Sequence, residues 1–171
     1  IVGSRRASYY GKQVAERLAY ELAQAGVAVI SGLAYGVDAM AHGGALKAGG
    51  HTVGVLGCGV DIVYPQQNLK YYREMAERGA LVSEFPLGTQ PLSGNFPARN
   101  RIISGLSQGI LVVEARQRSG ALITVDFALE QGRDVFAIPG NINQPCSYGT
   151  NNLIKEGAKL DYPDSVVTYF K

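Results

Sequence analysis

The chain has 171 residues and a net charge of +2, enough to bury one full core and too few for two large domains. No run approaches the roughly 18 apolar residues of a spanning helix, so a soluble protein without membrane association is expected. Cys58 and Cys146 have no Cys or His partner at ligand spacing, which leaves no legible zinc site or disulfide framework and fits a reducing, cytoplasmic compartment.

In chain order, Ile1-Val2 runs straight into Gly3-Ser4, whereas a buried strand usually has about five residues. The first strand is therefore expected to start upstream, and the chain to be a piece of a longer protein. Residues 27–30, 52–56, 81–83, 110–113 and 135–138 are short β-rich runs, so six strands are predicted. Between them lie helical patterns. Val14, Leu18, Leu22 and Ala25 share one helix face, and further helices are predicted over 37–48, 69–78, 97–106 and 121–131. Gly26, Gly49, Gly79 and Gly132 follow helical segments, where a left-handed C-terminal cap is wanted. The tail holds a short helix near 151–156 and another after Asp164. Alternating strand and helix with continuously apolar strands predicts an α/β fold: a doubly wound, mostly parallel sheet. Residues 86–95 form the one long irregular stretch, and loops of that length are commonly functional.

In such sheets ligands sit beyond the carboxyl ends of the strands. The residues there are small or basic: Gly3, Ser4, Arg5 and Arg6 after the first strand, then Ser31 and Gly32, then Gly57-Cys58-Gly59, then Glu114 followed by Ser119, Gly120 and Ala121. Small residues at helix starts let backbone amides approach an anion, and phosphate is the natural one. Residues 3–13 hold Arg5, Arg6 and Lys12 with no acid, and residues 96–118 hold Arg99, Arg101, Arg116 and Arg118 against Glu114 alone. Phe96 and Tyr35 accompany these segments, and aromatics beside cations suit single-stranded nucleic acid. The Arg99-Asn100-Arg101 triplet cannot place all three side chains on one helix face, so at most two should face a ligand.

Several other polar residues read as structural. Asp38 and His42, one turn apart, are expected to pair and fix the preceding glycine loop. Glu84 and Glu114 are expected to order an arginine or a loop amide. Cys58 reads as a small residue in a tight turn. The first loop lacks the three glycines of a dinucleotide fingerprint, and there is no Walker ending, Gly-x-Ser-x-Gly elbow or His-Glu-x-x-His run. No cofactor is expected.

Five ordered motifs carry a family resemblance: Val2-Gly3-Ser4-Arg5-Arg6; Ser31-Gly32-Leu33-Ala34-Tyr35-Gly36-Val37-Asp38 with Ala41-His42; Phe96-Pro97-Ala98-Arg99-Asn100-Arg101; Glu114-Ala115 with Ser119-Gly120-Ala121; and Pro139-Gly140 with Gly149-Thr150-Asn151. Over nearly its whole length the chain resembles DNA-processing protein A, also called Smf. That resemblance implies an extended Rossmann-like domain that binds single-stranded DNA without catalysis, forms a homodimer and loads the RecA recombinase during natural transformation. It also implies Ser4 and Arg5 as phosphate ligands, Phe96, Arg99 and Asn100 as aromatic and polar contacts, and Ser119 and Gly120 as amide donors, with Gly3, Arg6, Ser31, Gly32 and Arg101 completing the expected DNA-binding set. One departure is that residues 92–95 carry no base shortly before Phe96, where the family often has one. The main alternative is a nucleotide-monophosphate glycosidase of the lysine-decarboxylase-like group, whose Pro-Gly-Gly-x-Gly-Thr loop is not reproduced at Pro139-Gly140-Asn141. A nucleotide sensor is a third. The tail at 165–170 is apolar and could either serve the dimer or fill the monomer core.

Overall fold

The structure, a computed structural model, describes residues 1–161 and 165–170. Helix α1 (Tyr9–Gln24) starts at Ser8, whose hydroxyl accepts from the Gly11 amide, and it buries Ala15, Leu18, Ala19 and Leu22 along one face. Strand β1 (Val29–Ser31), α2 (Val37–Lys47), β2 (Thr52–Val55), α3 (Leu69–Arg78) and β3 (Ala80–Val82) complete the first half. The second contains α4 (Asn95–Gly105), β4 (Gly109–Val112), α5 (Gly120–Glu130), β5 (Asp134–Ala137), α6 (Tyr148–Lys155), β6 (Lys159–Leu160) and α7 (Ser165–Tyr169).

The strands form two parallel three-stranded sheets, β1-β2-β3 and β4-β5-β6. Ile1-Val2 joins them. Val2 makes a parallel bridge with Val112, donating its amide to Leu111 O at 2.9 Å and accepting from the Val113 amide at 3.1 Å. On the other side the Ile1 nitrogen donates to Ile30 O at 2.8 Å, and the Ser31 hydroxyl donates to Ile1 O at 2.6 Å. The two residues thus form a bridge rather than a full strand. The chain winds outward from them through β1, β2 and β3, then returns to wind the opposite way through β4, β5 and β6. The switch point of a doubly wound sheet lies at this seam.

The continuous apolar runs are explained by coverage on both faces. Ile1, Leu111, Val113 and Phe136 pack into one core cluster with α1 and α2, whereas Val2, Ile110, Val112 and Val135 pack into the other with α4 and α5. Successive residues point to opposite faces, and here each face is dry. The tail takes the monomer alternative: Val166 and Val167 of α7 are buried in the first cluster, with Phe170 packed against it.

Three local expectations change. Gly26, Gly49 and Gly132 take the left-handed conformation of a C-terminal cap, but Gly79 does not, with φ −140°. It is needed for closeness instead, because a Cβ there would lie 2.5 Å from Thr52 O. The sixth strand is β6, two exposed residues with no apolar pattern to signal them. Helix α6 begins at Tyr148, earlier than the expected 151.

Candidate nucleic-acid interface

A cleft of about 600 Å³ opens beyond the carboxyl ends of the strands at the seam. Residues 3–6, leaving the Ile1-Val2 bridge, form one wall. The first turns of α4 supply Phe96, Pro97, Arg99 and Asn100, and the segment leading from β4 into α5 supplies Arg116, Arg118, Ser119 and Gly120. Pro91 and Ser93 of the long loop close the rim.

The loops are set by a few buried polar groups. Glu114 is buried, and its carboxylate accepts from the Ser8 amide at 2.9 Å and from the Ser8 hydroxyl, so it fixes the start of α1. Its backbone carbonyl accepts from the Ser4 amide at 2.8 Å and holds the Gly3-Ser4 turn against β4. The Ser4 hydroxyl then accepts from the Arg6 amide at 3.2 Å. Ser119 caps α5, its hydroxyl accepting from the Ala121 amide at 3.3 Å, and the Asn100 side-chain amide donates to Gly120 O at 3.3 Å. The start of α5 is thus tied to α4 while Gly120 stays exposed, with open space where a Cβ would be. A helix start of this kind favours an anion.

Charge is distributed unevenly. Arg5, Arg6, Arg116 and Arg118 are exposed along the cleft. Among the described residues the one acid lining it is Asp38, which is buried; its carboxylate accepts from the Gly32 amide at 3.1 Å and the Ala34 amide at 3.4 Å. Burial raises the Asp38 pKa, an effect that the charge of nearby Arg99 opposes. Four solvent-facing cations without an exposed acid among the described lining residues make an electropositive trough, with the start of α5 at one wall.

Over residues 1–169 the sequence matches the family described as DNA recombination-mediator protein A. The chain belongs to that family. It is 52% identical over 161 residues to the Smf protein of Escherichia coli, covering 94% of this chain and 43% of that protein. Its fold matches the DNA processing protein A of Streptococcus pneumoniae with a TM-score of 0.87 at 46% identity, covering 94% of this chain and 56% of the other. It also matches the Helicobacter pylori protein of the same name, which binds single-stranded DNA, with a TM-score of 0.88 at 34% identity, covering 99% of this chain and 75% of the other. The chain spans about half the length of the curated relatives it matches.

Against the residues expected from the family motifs, the structure brings Gly3, Ser4, Arg5, Arg6, Phe96, Arg99, Asn100, Ser119 and Gly120 to one cleft. It does not bring Ser31, Gly32 or Arg101 there. Ser31 is fully buried, with its hydroxyl on Ile1 O. Gly32 sits behind Arg99 and Asp38, where a Cβ would meet both side chains within 3 Å. Arg101 is exposed on another face of α4 and pairs with Glu84. Arg99 lines the cleft but is only 3% exposed: its guanidinium donates to Gly32 O at 2.9 Å and to Val55 O, so it braces the ends of β1 and β2. Burial lowers its pKa, against the stabilising charge of Asp38.

Asp38 and His42 do not pair as expected. His42 is fully buried with Nδ1 2.7 Å from the Thr52 hydroxyl, which itself donates to Val29 O at 2.7 Å. The hydroxyl proton is thereby committed, so Nδ1 must be the donor and His42 is the Nδ1-H tautomer. Cys58 is buried in its turn, its thiol directed at Ile62 O, and burial pushes its pKa up. Tyr35 does not line the main cleft; its hydroxyl donates to Gln67. Tyr64 does line it and was missed, because it lies in a loop with no periodic or compositional signal. Arg116 and Arg118 line the cleft as members of the basic segment 96–118, although they stand outside the expected DNA-binding set.

Proposed function

We propose that this chain binds single-stranded DNA without catalysis, as the nucleic-acid-holding part of a recombination mediator that acts as a homodimer and passes the strand to RecA during DNA uptake. The observation that carries the reading is the convergence of Arg5, Arg6, Arg116 and Arg118 on a cleft whose only lining acid among the described residues is buried. Successive phosphates are neutralised by these arginines and by amides at the start of α5, and aromatic groups in the cleft take bases. The non-enzymatic role is supported by the carboxylates near the cleft: those of Asp38 and Glu114 are both committed to amides or hydroxyls of this chain. RecA and the homodimer rest on membership of a recombination-mediator family.

The test is fluorescence anisotropy of labelled oligo-dT against duplex of equal length over a range of salt, beside an assay for base release from nucleoside monophosphates. Preferential, salt-sensitive binding of the single strand with no base release supports the proposal. Base release would assign the chain to glycosidases, and equal binding of duplex would remove the single-strand specificity.

A further inference from the structure

The cleft wall formed by residues 3–6 ends at Arg6, and the chain runs on from there into α1. Three residues beyond Arg6 stands Tyr9, 77% exposed, and beside it Tyr10, half exposed. Neither lines the cleft. The core is served by the opposite face of α1, through Ala15, Leu18, Ala19 and Leu22, so the Tyr9 ring is not needed there. Both rings are nonetheless held in place. The Tyr9 hydroxyl accepts from the Gln13 side-chain amide at 2.9 Å, one turn along the helix, and the Tyr10 hydroxyl donates to Pro139 O at 3.4 Å, in the segment after β5. These bonds use the hydroxyls at the ring edges and leave the face of Tyr9 open to solvent.

The charge around the two rings is one-sided. Arg6 is exposed on the cleft side and Lys12 on the next turn of α1, and residues 1–13 contain no acid. Glu16, further along α1, pairs with Lys47, and Glu114 is buried against Ser8. The segment on which Tyr10 leans, residues 135–155, holds no acid either. A polyanion leaving the cleft past Arg6 therefore meets cations and an open ring, with no free carboxylate from these segments to repel it. From Arg6 to Tyr9 the backbone spans at most about 11 Å, so a strand held at Arg6 reaches the ring within a nucleotide or two. The surface is made of side chains and not of the helix end, where the Gly11 amide is already taken by the Ser8 hydroxyl at 3.0 Å.

Resting on the proposed binding of single-stranded DNA, we infer that the first turns of α1 form a second contact for the strand, outside the cleft. Tyr9 stacks on a base of the emerging strand, and Lys12 neutralises a phosphate beside it. A strand short enough to lie within the cleft cannot reach this contact, so it makes affinity depend on strand length.

The experiment measures affinity of the whole chain and its Tyr9→Phe, Tyr9→Ala and Lys12→Ala variants for oligo-dT in steps from about 4 to about 16 nucleotides. Melting temperatures of the variants provide the folding control. On strands that fill only the cleft, all four proteins should bind alike. On longer strands Tyr9→Phe should stay within about 2-fold of the parent, whereas Tyr9→Ala forfeits roughly 5- to 100-fold, the size of one base–aromatic stack. Lys12→Ala should reduce the slope of log affinity against log salt by about 0.7 on the long strands alone. Abasic sites placed toward one end of a long strand should erase the difference between the parent and Tyr9→Ala for one of the two ends, which also gives the direction of the strand. If the parent binds oligo-dT and Tyr9→Ala matches it at every length, or loses equally on the shortest and longest strands, the inference is overturned while the proposed function stands. If the parent binds no single strand, the proposed function fails and this assignment with it.

Discussion

Replacing Arg99 by alanine separates a brace from a phosphate ligand, two roles that its place in the Phe-Pro-x-Arg-Asn-Arg motif leaves indistinguishable. The side chain is 3% exposed and donates to the carbonyls of Gly32 and Val55. Truncation leaves both carbonyls without that donor at the ends of two parallel strands, and removes the cation beside the buried Asp38 carboxylate. A hydrogen bond from a charged group contributes about 1.5–3 kcal/mol, and an unsatisfied buried acceptor costs about 1–3 kcal/mol. Partial relaxation and water entry from the cleft reduce the sum, so a loss of roughly 3 kcal/mol is expected. For a chain of this size each kcal/mol moves Tm by about 2–4 °C, which places Arg99→Ala roughly 6–12 °C below the parent.

Differential scanning calorimetry supplies the stability half, and anisotropy against oligo-dT below the lower Tm supplies the other. Because the guanidinium is committed to the sheet ends, Arg99→Ala should leave the salt dependence of binding unchanged. Arg5→Ala is the control with the opposite pattern: an exposed cation whose loss should reduce the slope of log affinity against log salt by about 0.7 without shifting Tm. If Arg99→Ala melted within about 1 °C of the parent and also reduced the slope by that amount, the guanidinium would be a free phosphate ligand, and the reasoning from its hydrogen bonds would be refuted.

Three further outcomes follow from particular contacts. Gly120→Ala meets open space at an exposed helix start, so Tm should hold or rise slightly, while oligo-dT affinity falls if phosphate approaches that backbone closely; unchanged affinity would remove the α5 start from the site. Gly11→Ala would put a methyl 2.4 Å from Cδ of the buried Glu114 carboxylate, and a loss of about 1–3 kcal/mol is expected from such overpacking, checked by urea unfolding. Burial lowers the His42 pKa to about 3 from an ordinary 6.5. The unfolded chain therefore takes up a proton that the folded one refuses, so stability is full above about pH 6.5 and declines as pH falls toward 3. The loss should reach about 2 kcal/mol by pH 5, at about 1.4 kcal/mol per pH unit below the unfolded value. Urea unfolding at pH 7 and 5 measures it, and His42→Leu should flatten the difference between the two pH values.

What could be read from the sequence was whatever repeats or sits at a strand end. The runs at 110–113 and 135–138 are apolar at every position because alternate residues enter two different cores, and that pattern is visible without coordinates. Lys159-Leu160 carries no such mark, since an edge pair exposed on both residues has nothing to bury. The same limit applies within the site. The small residues Gly3, Ser4, Ser119 and Gly120 follow from where a doubly wound sheet puts its ligand, but the fates of the arginines do not. Arg5, Arg99 and Arg101 carry the same charge, yet one faces the cleft, one is spent on Gly32 and Val55, and one pairs with Glu84. Which partner each meets depends on the crossing of α4 over the ends of β1 and β2, a tertiary fact with no local signature. His42 shows it most simply: helical spacing offers Asp38 as its partner, and the adjacent strand supplies Thr52 instead. Motif residues in this fold therefore divide into those that build the cleft and those that face it, and only the second group should change binding without changing stability.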